Sequence, residues 1–176
     1  PFKSLSVGKQ LQTIAGIVQD LRVIQGKRGR FAVIVLSDGQ ETIDVLAYSE
    51  TYERYRSLLV ADEVLVITGR GRFDERNGRM SMVANQIRTL QEERIKRGAR
   101  LVFEVNEDVD TDEIRKLFAG NPTSEHGVLC EAIVTLKTSK GCLVFNDRVE
   151  PTDHLVSILR TIPGVSKAHY EYGMRS

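Results

Sequence analysis

No tryptophan occurs in this chain of 176 residues, and aromatics make up only 6% of it. A surface that binds by stacking would have few rings to draw on. Two cysteines, Cys130 and Cys142, are too few for a disulfide framework and lack the paired spacing of a zinc site, so reduced, buried thiols are expected. If residues 128–145 form a hairpin turning at Ser139 and Lys140, Cys142 falls opposite Lys137, and alternation sets the two cysteines on opposite faces. No apolar run approaches the roughly 18 residues of a membrane span, and residues 1–20 lack the basic, apolar, small-residue order of a signal peptide. The chain is therefore expected in the cytoplasm, with no membrane partner. It starts at Pro1 and not at methionine, which suggests an excised piece of a longer protein.

An excess of one charge is also missing. The net charge is +1, split between 13 basic and 10 acidic side chains in residues 1–90 and 12 and 14 in residues 91–176. So small an imbalance says little about partners, and the placement of the charges has to decide. Catalytic signals are sparse as well. His126, His154 and His169 lie far apart and outside any metal-binding spacing, and no Gly-rich phosphate loop occurs, since "GRGRF" sits within a strand pattern. The acidic run "EVNEDVDTDE" departs from the spacing of a calcium loop and reads as a solvated loop with a helix cap. No catalytic residue, cofactor or metal is expected.

What the chain does have is a balance of 41% apolar and 28% charged residues, that of a globular protein able to bury roughly 70% of its unfolded surface. The first half reads as strands. Residues 11–25 form one long strand with Gly16 marking a bend, Phe31–Leu36 is an apolar run, and "SDGQ" turns it into the alternating "ETIDVLAY". Ser49 is placed to cap a helix ending near Val60 with Tyr52, Tyr55, Leu58 and Leu59 on its core side, and strands follow at residues 63–73 and 79–90. Three strands, a helix and two more strands is the order of the OB fold, a five-stranded all-β barrel that binds oligonucleotides.

Domain boundaries follow from composition. Residues 1–92 are read as this nucleic-acid-binding domain, 93–100 as a charged, solvated linker within "QEERIKRGAR" with room for one helical turn or two, and 101–176 as a partner-docking α+β domain of β-α-β-β-α-β order. Its first helix, near residues 111–118, has Asp110 and Glu113 as a capping box and Gly120 as its stop; the second, near 152–162, has Pro151 at its start and "PG" at its end.

In an OB barrel, the loops between strands 1 and 2 and between strands 4 and 5 flank a binding face on strands 2 and 3. Both are basic here: Lys27, Arg28 and Arg30 lie in the first, Arg70, Arg72, Arg76 and Arg79 in or beside the second, with Arg70 and Arg72 on one strand face. Their competing role is that of solvated turns. Phe31, Tyr48 and Phe73 are the candidate stacking platforms; Phe31 and Phe73 incline toward barrel packing, and Tyr48 stands between rim and open face.

The run "GKRGRFAVIVLSDGQETIDVLAYSETYERYRSLLVADEVLVITGRGRFDERNGRMSMVANQI" resembles the OB domain near the C-terminus of the α subunit of bacterial DNA polymerase III. "DRVEPTDHLVSILRTIPGVSKAHYEY" is similar to that subunit's last segment; OB domains of class II aminoacyl-tRNA synthetases share much of the first pattern. The polymerase resemblance implies a non-catalytic region that contacts single-stranded DNA and docks the clamp-loader τ subunit. Other holoenzyme subunits would be reached through the parent chain, a DNA-directed DNA polymerase. The clamp-binding peptide of that family is not visible. His154, Arg160, Tyr170, Tyr172 and the end Met174–Ser176 are the docking candidates, competing with an ordinary helix face and edge strand. Two other readings stay open: an anticodon-type RNA-binding OB module, and an ACT-like small-molecule regulatory domain in the second half, suggested by "IPGV" and the element order.

Overall fold

The computed structural model describes residues 2–75, 78–120, 129–136 and 142–173. The chain divides into two compact units, residues 1–90 and 91–176.

The first unit is a closed barrel of β1 (Leu11–Gly26), β2 (Gly29–Ser37), β3 (Thr42–Ala47), β4 (Val64–Asp74) and β5 (Arg79–Thr89), with α1 (Ser49–Tyr55) between β3 and β4. The strands close in the order β1-β2-β3-β5-β4, and only β3 and β5 run parallel. Closure rests on β1, whose residues Leu11–Ile17 pair with β4 while Ile17–Gly26 pair with β2. Alternation supplies the core: Ala32, Ile34 and Leu36 from β2 and Ile43, Val45 and Ala47 from β3 point inward. Tyr52, Tyr55 and Leu58 pack against this core as expected.

Three expectations change. The bend in β1 is a bulge between Val18 and Asp20, not at Gly16; Gly16 is required instead because the Ser37 carbonyl oxygen lies 2.8 Å from where a Cβ would stand. Ser49 does not cap α1. It is the first helical residue, and the helix gives way after Tyr55 to a 3-10 turn over Arg56–Leu58, short of Val60. Phe73, expected in the packing, is 47% exposed because β4 carries it past the barrel rim.

The β2–β3 turn is fixed by Asp38. Its Oδ1 accepts from the backbone N–H groups of Glu41 and Gln40 at 2.9 and 3.0 Å, and its Oδ2 from Phe2 N–H at 3.2 Å. These bonds, led by that from Glu41, hold its carboxyl below the ordinary value.

The second unit is a four-stranded sheet in the order β8-β7-β6-β9, built from β6 (Ala99–Val105), β7 (Cys130–Leu136), β8 (Cys142–Val149) and β9 (Val165–Tyr172). With it come α2 (Leu90–Lys96), α3 (Thr111–Gly120) and α4 (Asp153–Leu159). Leu101, Phe103 and Val105 face a core shared with Ile114 of α3 and Leu155 and Leu159 of α4, and Phe103 meets Phe118 edge-on at 5.9 Å. Asp110 caps α3 through bonds to Asp112 and Glu113 N–H, and Thr152 caps α4.

The charged stretch expected as a linker is only partly solvated: Glu93 is buried, while Lys96, Arg97 and Arg100 are exposed. It forms α2, whose Ile95 packs on the second core, and β6 begins directly afterwards at Ala99. Among backbone pairs, Cys142 stands opposite Thr135, two residues from the expected Lys137. The turn proposed at Ser139 and Lys140, His126 and the end at Met174–Ser176 lie outside the described residues. Within this sheet β6 and β7 are direct parallel neighbours.

Gly69 lies at the register irregularity of the β4–β5 pair, and a Cβ there would collide with the Val83 carbonyl oxygen and the Met82 side chain. Gly69→Ala is expected to lose about 3 kcal/mol, the upper range of over-packing, read as a lower midpoint in urea unfolding. Because the carboxyl of Asp38 is held low, its support of the turn is present above the ordinary carboxylate pKa and lost as pH falls through the lowered value. The protection of the Gln40 and Glu41 amides, taken as exchange relative to the intrinsic rate at each pH, should fall on acidification, and Asp38→Asn should remove most of that pH dependence.

Candidate nucleic-acid interface

Strand register assembles the outer face of the barrel row by row. Arg22 of β1 stands beside Val33 of β2, Val33 beside Leu46 of β3, Leu46 beside Val83 of β5, and Val83 beside Arg70 of β4. One step along, Asp20, Val35, Asp44, Ser81 and Arg72 form a second row by the same pairings. Toward the β1–β2 turn, Ile24 pairs with Phe31, whose ring lies 6.2 Å from that of Tyr48 at 45°. The middle of the face is thus a half-buried apolar band of Val33, Leu46 and Val83, and cations stand at its ends.

The β1–β2 turn is held in place from α1. The Ser49 hydroxyl donates to the Arg28 carbonyl at 2.9 Å, and Gly29 takes φ +107° to complete the reversal. Lys27 and Arg28 are left exposed above an open groove of about 700 Å³ lined also by Phe31, Tyr48 and Ser49. Tyr48 is 47% exposed and Phe31 half-buried, so this groove presents rings beside the cations and the Glu50 carboxylate that also line it.

The predicted cations separate by their partners. Arg30 pairs with Glu53 of α1 at 3.5 Å. Arg79 begins β5 and is exposed, and Arg76 lies outside the described residues. Lys27, Arg28, Arg70 and Arg72 are exposed and form no ion pair among the described residues. The structure therefore brings together Lys27, Arg28, Phe31 and Tyr48 at one end of the face and Arg70 and Arg72 at another.

Arg22, Ile24 and Asp44 also lie on the face and are missed by sequence reasoning. Arg22 is tied to Asp20 at 2.8 Å, and Asp44 has no partner among the described residues. A signal exists for Asp44, since the strict alternation of "TIDVLA" puts it on the polar side of β3. None exists for Arg22, because its direction depends on the bulge at Val18 and Asp20.

Residues 12–90 match the family described as OB-fold nucleic acid binding domain, named for the tRNA anti-codon. The barrel is an OB-fold domain. Over most of its length the chain is also homologous to DNA polymerase III subunit alpha. The protein of that name from Pseudomonas aeruginosa is 28% identical over 162 residues, which cover 89% of this chain and 14% of that protein. Its counterpart from Escherichia coli K12 is 26% identical over 165 residues, 91% and 14% of the two chains. That of Vibrio cholerae is 38% identical over 82 residues, 46% of this chain and 7% of the relative. The chain thus spans about one-seventh of the length of the curated relatives it matches. Among solved structures, a small single-stranded DNA-binding protein from Streptomyces coelicolor covers 47% of this chain and 95% of its own, at 14% identity and a TM-score of 0.41. A likeness that loose says nothing about ligands.

Within the second unit, the docking candidates have unequal positions. His154 on α4 and Tyr172 on β9 are exposed, Tyr172 by 53%. Arg160 is exposed, but its Nε donates to the Ala168 carbonyl at 3.0 Å and covers part of the β9 backbone. Tyr170, expected to face a partner, is instead an internal brace. Its hydroxyl donates to the Thr152 carbonyl at 2.8 Å, and its ring lies under the Arg94 guanidinium at 4.9 Å. Burial raises its phenol pKa well above the ordinary value.

Arg94, only 11% exposed at its side chain, also donates to the Pro151 carbonyl and to Asp153 Oδ1, each at 2.6 Å, fastening α2 to the start of α4. Arg94→Ala should destabilise the protein by about 2–4 kcal/mol, because it strips two charge-assisted bonds and a ring contact, whereas Tyr170→Phe should cost about 1 kcal/mol. Urea unfolding of the two variants measures both, and equal effects would contradict the bracing role assigned to the guanidinium.

Proposed function

We propose that this chain is a non-catalytic C-terminal segment of a replicative DNA polymerase α subunit, that its OB domain holds single-stranded DNA, and that its second unit docks the clamp-loader τ subunit. The observation that carries the DNA reading is the face itself: an apolar band with unpaired cations, Lys27 and Arg28 at one end and Arg70 and Arg72 at another. An extended strand crossing it lays bases on Val33, Leu46 and Val83, stacks one against Phe31 or Tyr48, and keeps phosphates within reach of the four cations. Arg79 extends the same basic surface, and Arg30, paired with Glu53, and Arg76 are included on sequence grounds. With so few rings, affinity is led by the backbone and is modest.

The homology to DNA polymerase III subunit alpha supports the replicative setting, a bacterial cytoplasm, and contact with other holoenzyme subunits through the parent chain. For docking, the exposed His154, Arg160 and Tyr172 are the surface residues, with Tyr170 acting through the positions it braces. The anticodon-type description of the matching family favours one second reading, an RNA-binding module. Preference for folded tRNA over single-stranded DNA would support that reading against the first.

Replacing Lys27 and Arg28 together by alanine should weaken oligo-dT binding in fluorescence anisotropy and flatten the dependence of log affinity on log salt by about 1.4, near 0.7 per lost phosphate contact, with thermal stability unchanged. An unaltered slope would remove the β1–β2 turn from the site. The full chain used as bait in a bacterial lysate should retain τ, and His154→Ala combined with Tyr172→Ala should reduce that retention.

A further inference from the structure

Asp44 stands at the centre of the face just described, on the middle strand of β2, β3 and β5. Its outward neighbours are Val35 on one side and Ser81 on the other, and Ser81 spends its hydroxyl on the Arg72 carbonyl at 3.3 Å. The next carboxylate in the row, Asp20, is committed to the Arg22 guanidinium and to Leu21 N–H. Asp44 is exposed and has neither hydrogen bond nor ion pair among the described residues. An unpaired anion is thus fixed where a nucleic-acid strand would cross, with cations only at the margins.

We infer that Asp44 is a base-reading residue, selecting at the centre of the face a base that offers an amino group and disfavouring thymine. This rests on the single-strand reading of the face. The carboxylate repels phosphate, so the backbone runs along the cationic margins and the bases turn inward over β3. An ionised carboxylate only accepts hydrogen bonds. The base above it must therefore present donors, as cytosine does with its N4 amino group and adenine with N6. Thymine has a single donor, N3–H, set between O4 and O2, so a carboxylate that reaches for it meets a carbonyl oxygen on either side. Val35 and Leu46 flank Asp44 on its outward side, so water has less room to mediate between carboxylate and base.

The test compares oligo-dC with oligo-dT of equal length on the full chain at neutral pH, by fluorescence anisotropy. The wild type should bind oligo-dC about fivefold more tightly, and Asp44→Asn should bring the ratio close to one, chiefly by improving oligo-dT. Asp44→Glu should keep part of the preference. Because Asp44 is exposed, thermal melting should be the same in all three proteins and separates a reading effect from a folding one. A ratio near one in the wild type overturns the inference and leaves the single-strand reading standing. Equal gains for both oligonucleotides in Asp44→Asn also overturn it, since they mark general repulsion and not reading. Failure to bind either oligonucleotide overturns the single-strand reading, and the inference with it.

Discussion

One extra residue in β1 organises the whole binding face. Before the bulge between Val18 and Asp20, the odd-numbered side chains Leu11, Thr13, Ala15 and Ile17 point outward; after it, the even-numbered Asp20, Arg22 and Ile24 do. A strand alternates strictly, so a single inserted residue moves every later side chain to the other side. Here that shift lets β1 serve two partners, β4 and then β2, while delivering Arg22 beside Val33 and Ile24 beside Phe31. Barrel closure and the composition of the face are therefore the same event. Gly16 and Gly69 support it by admitting the carbonyls of Ser37 and Val83 where a side chain would hold the strands apart.

The fold was largely legible because its signals are local. "SDGQ" supplies the Asp38 side chain that a tight turn needs, "TIDVLA" alternates, and Asp110 stands where α3 needs a cap. What escaped was set by distant pairing. Phe31–Leu36 is apolar at every position, so nothing in it distinguishes inward Ile34 from outward Val33 and Val35; the distinction comes from the barrel's curvature and from β3 beside it. The linker reading missed the packed part of the stretch because charge density was taken for solvation. Arg94 and Ile95 are adjacent, one bound to Pro151, Asp153 and Tyr170 and the other in the core, and those partners lie more than fifty residues away. The bracing contact of Tyr170 escaped for the same reason, since its partner at Thr152 is eighteen residues back.

The candidate site shows what pairing does to charge. Glu53 answers Arg30 and Arg56, Glu50 answers Arg54, and Asp20 answers Arg22, so α1 and β1 neutralise the cations nearest to them. Exposed pairs of this kind are worth little to stability, roughly 0–1 kcal/mol each. Their larger effect is to leave Lys27 and Arg28 at the turn and Arg70 and Arg72 on β4 as cations of the face that form no ion pair among the described residues. Charge so placed guides a polyanion to two margins and gives it no reason to press its backbone onto the middle.

The middle is built to match. Val33, Leu46 and Val83 offer apolar surface to a base and nothing to a phosphate, and Asp44 adds repulsion of the backbone. A uniformly basic face would grip the backbone anywhere and turn the bases to solvent. An apolar and acidic middle between cationic margins favours one arrangement, with sugar and phosphate outside and base edges inside. Because the ring count is low, the energy available from stacking is small, and most of the binding free energy has to come from the margins. Grip and orientation are thereby assigned to different residues, and a change at the margin should alter how tightly a strand is held without altering which base lies over β3.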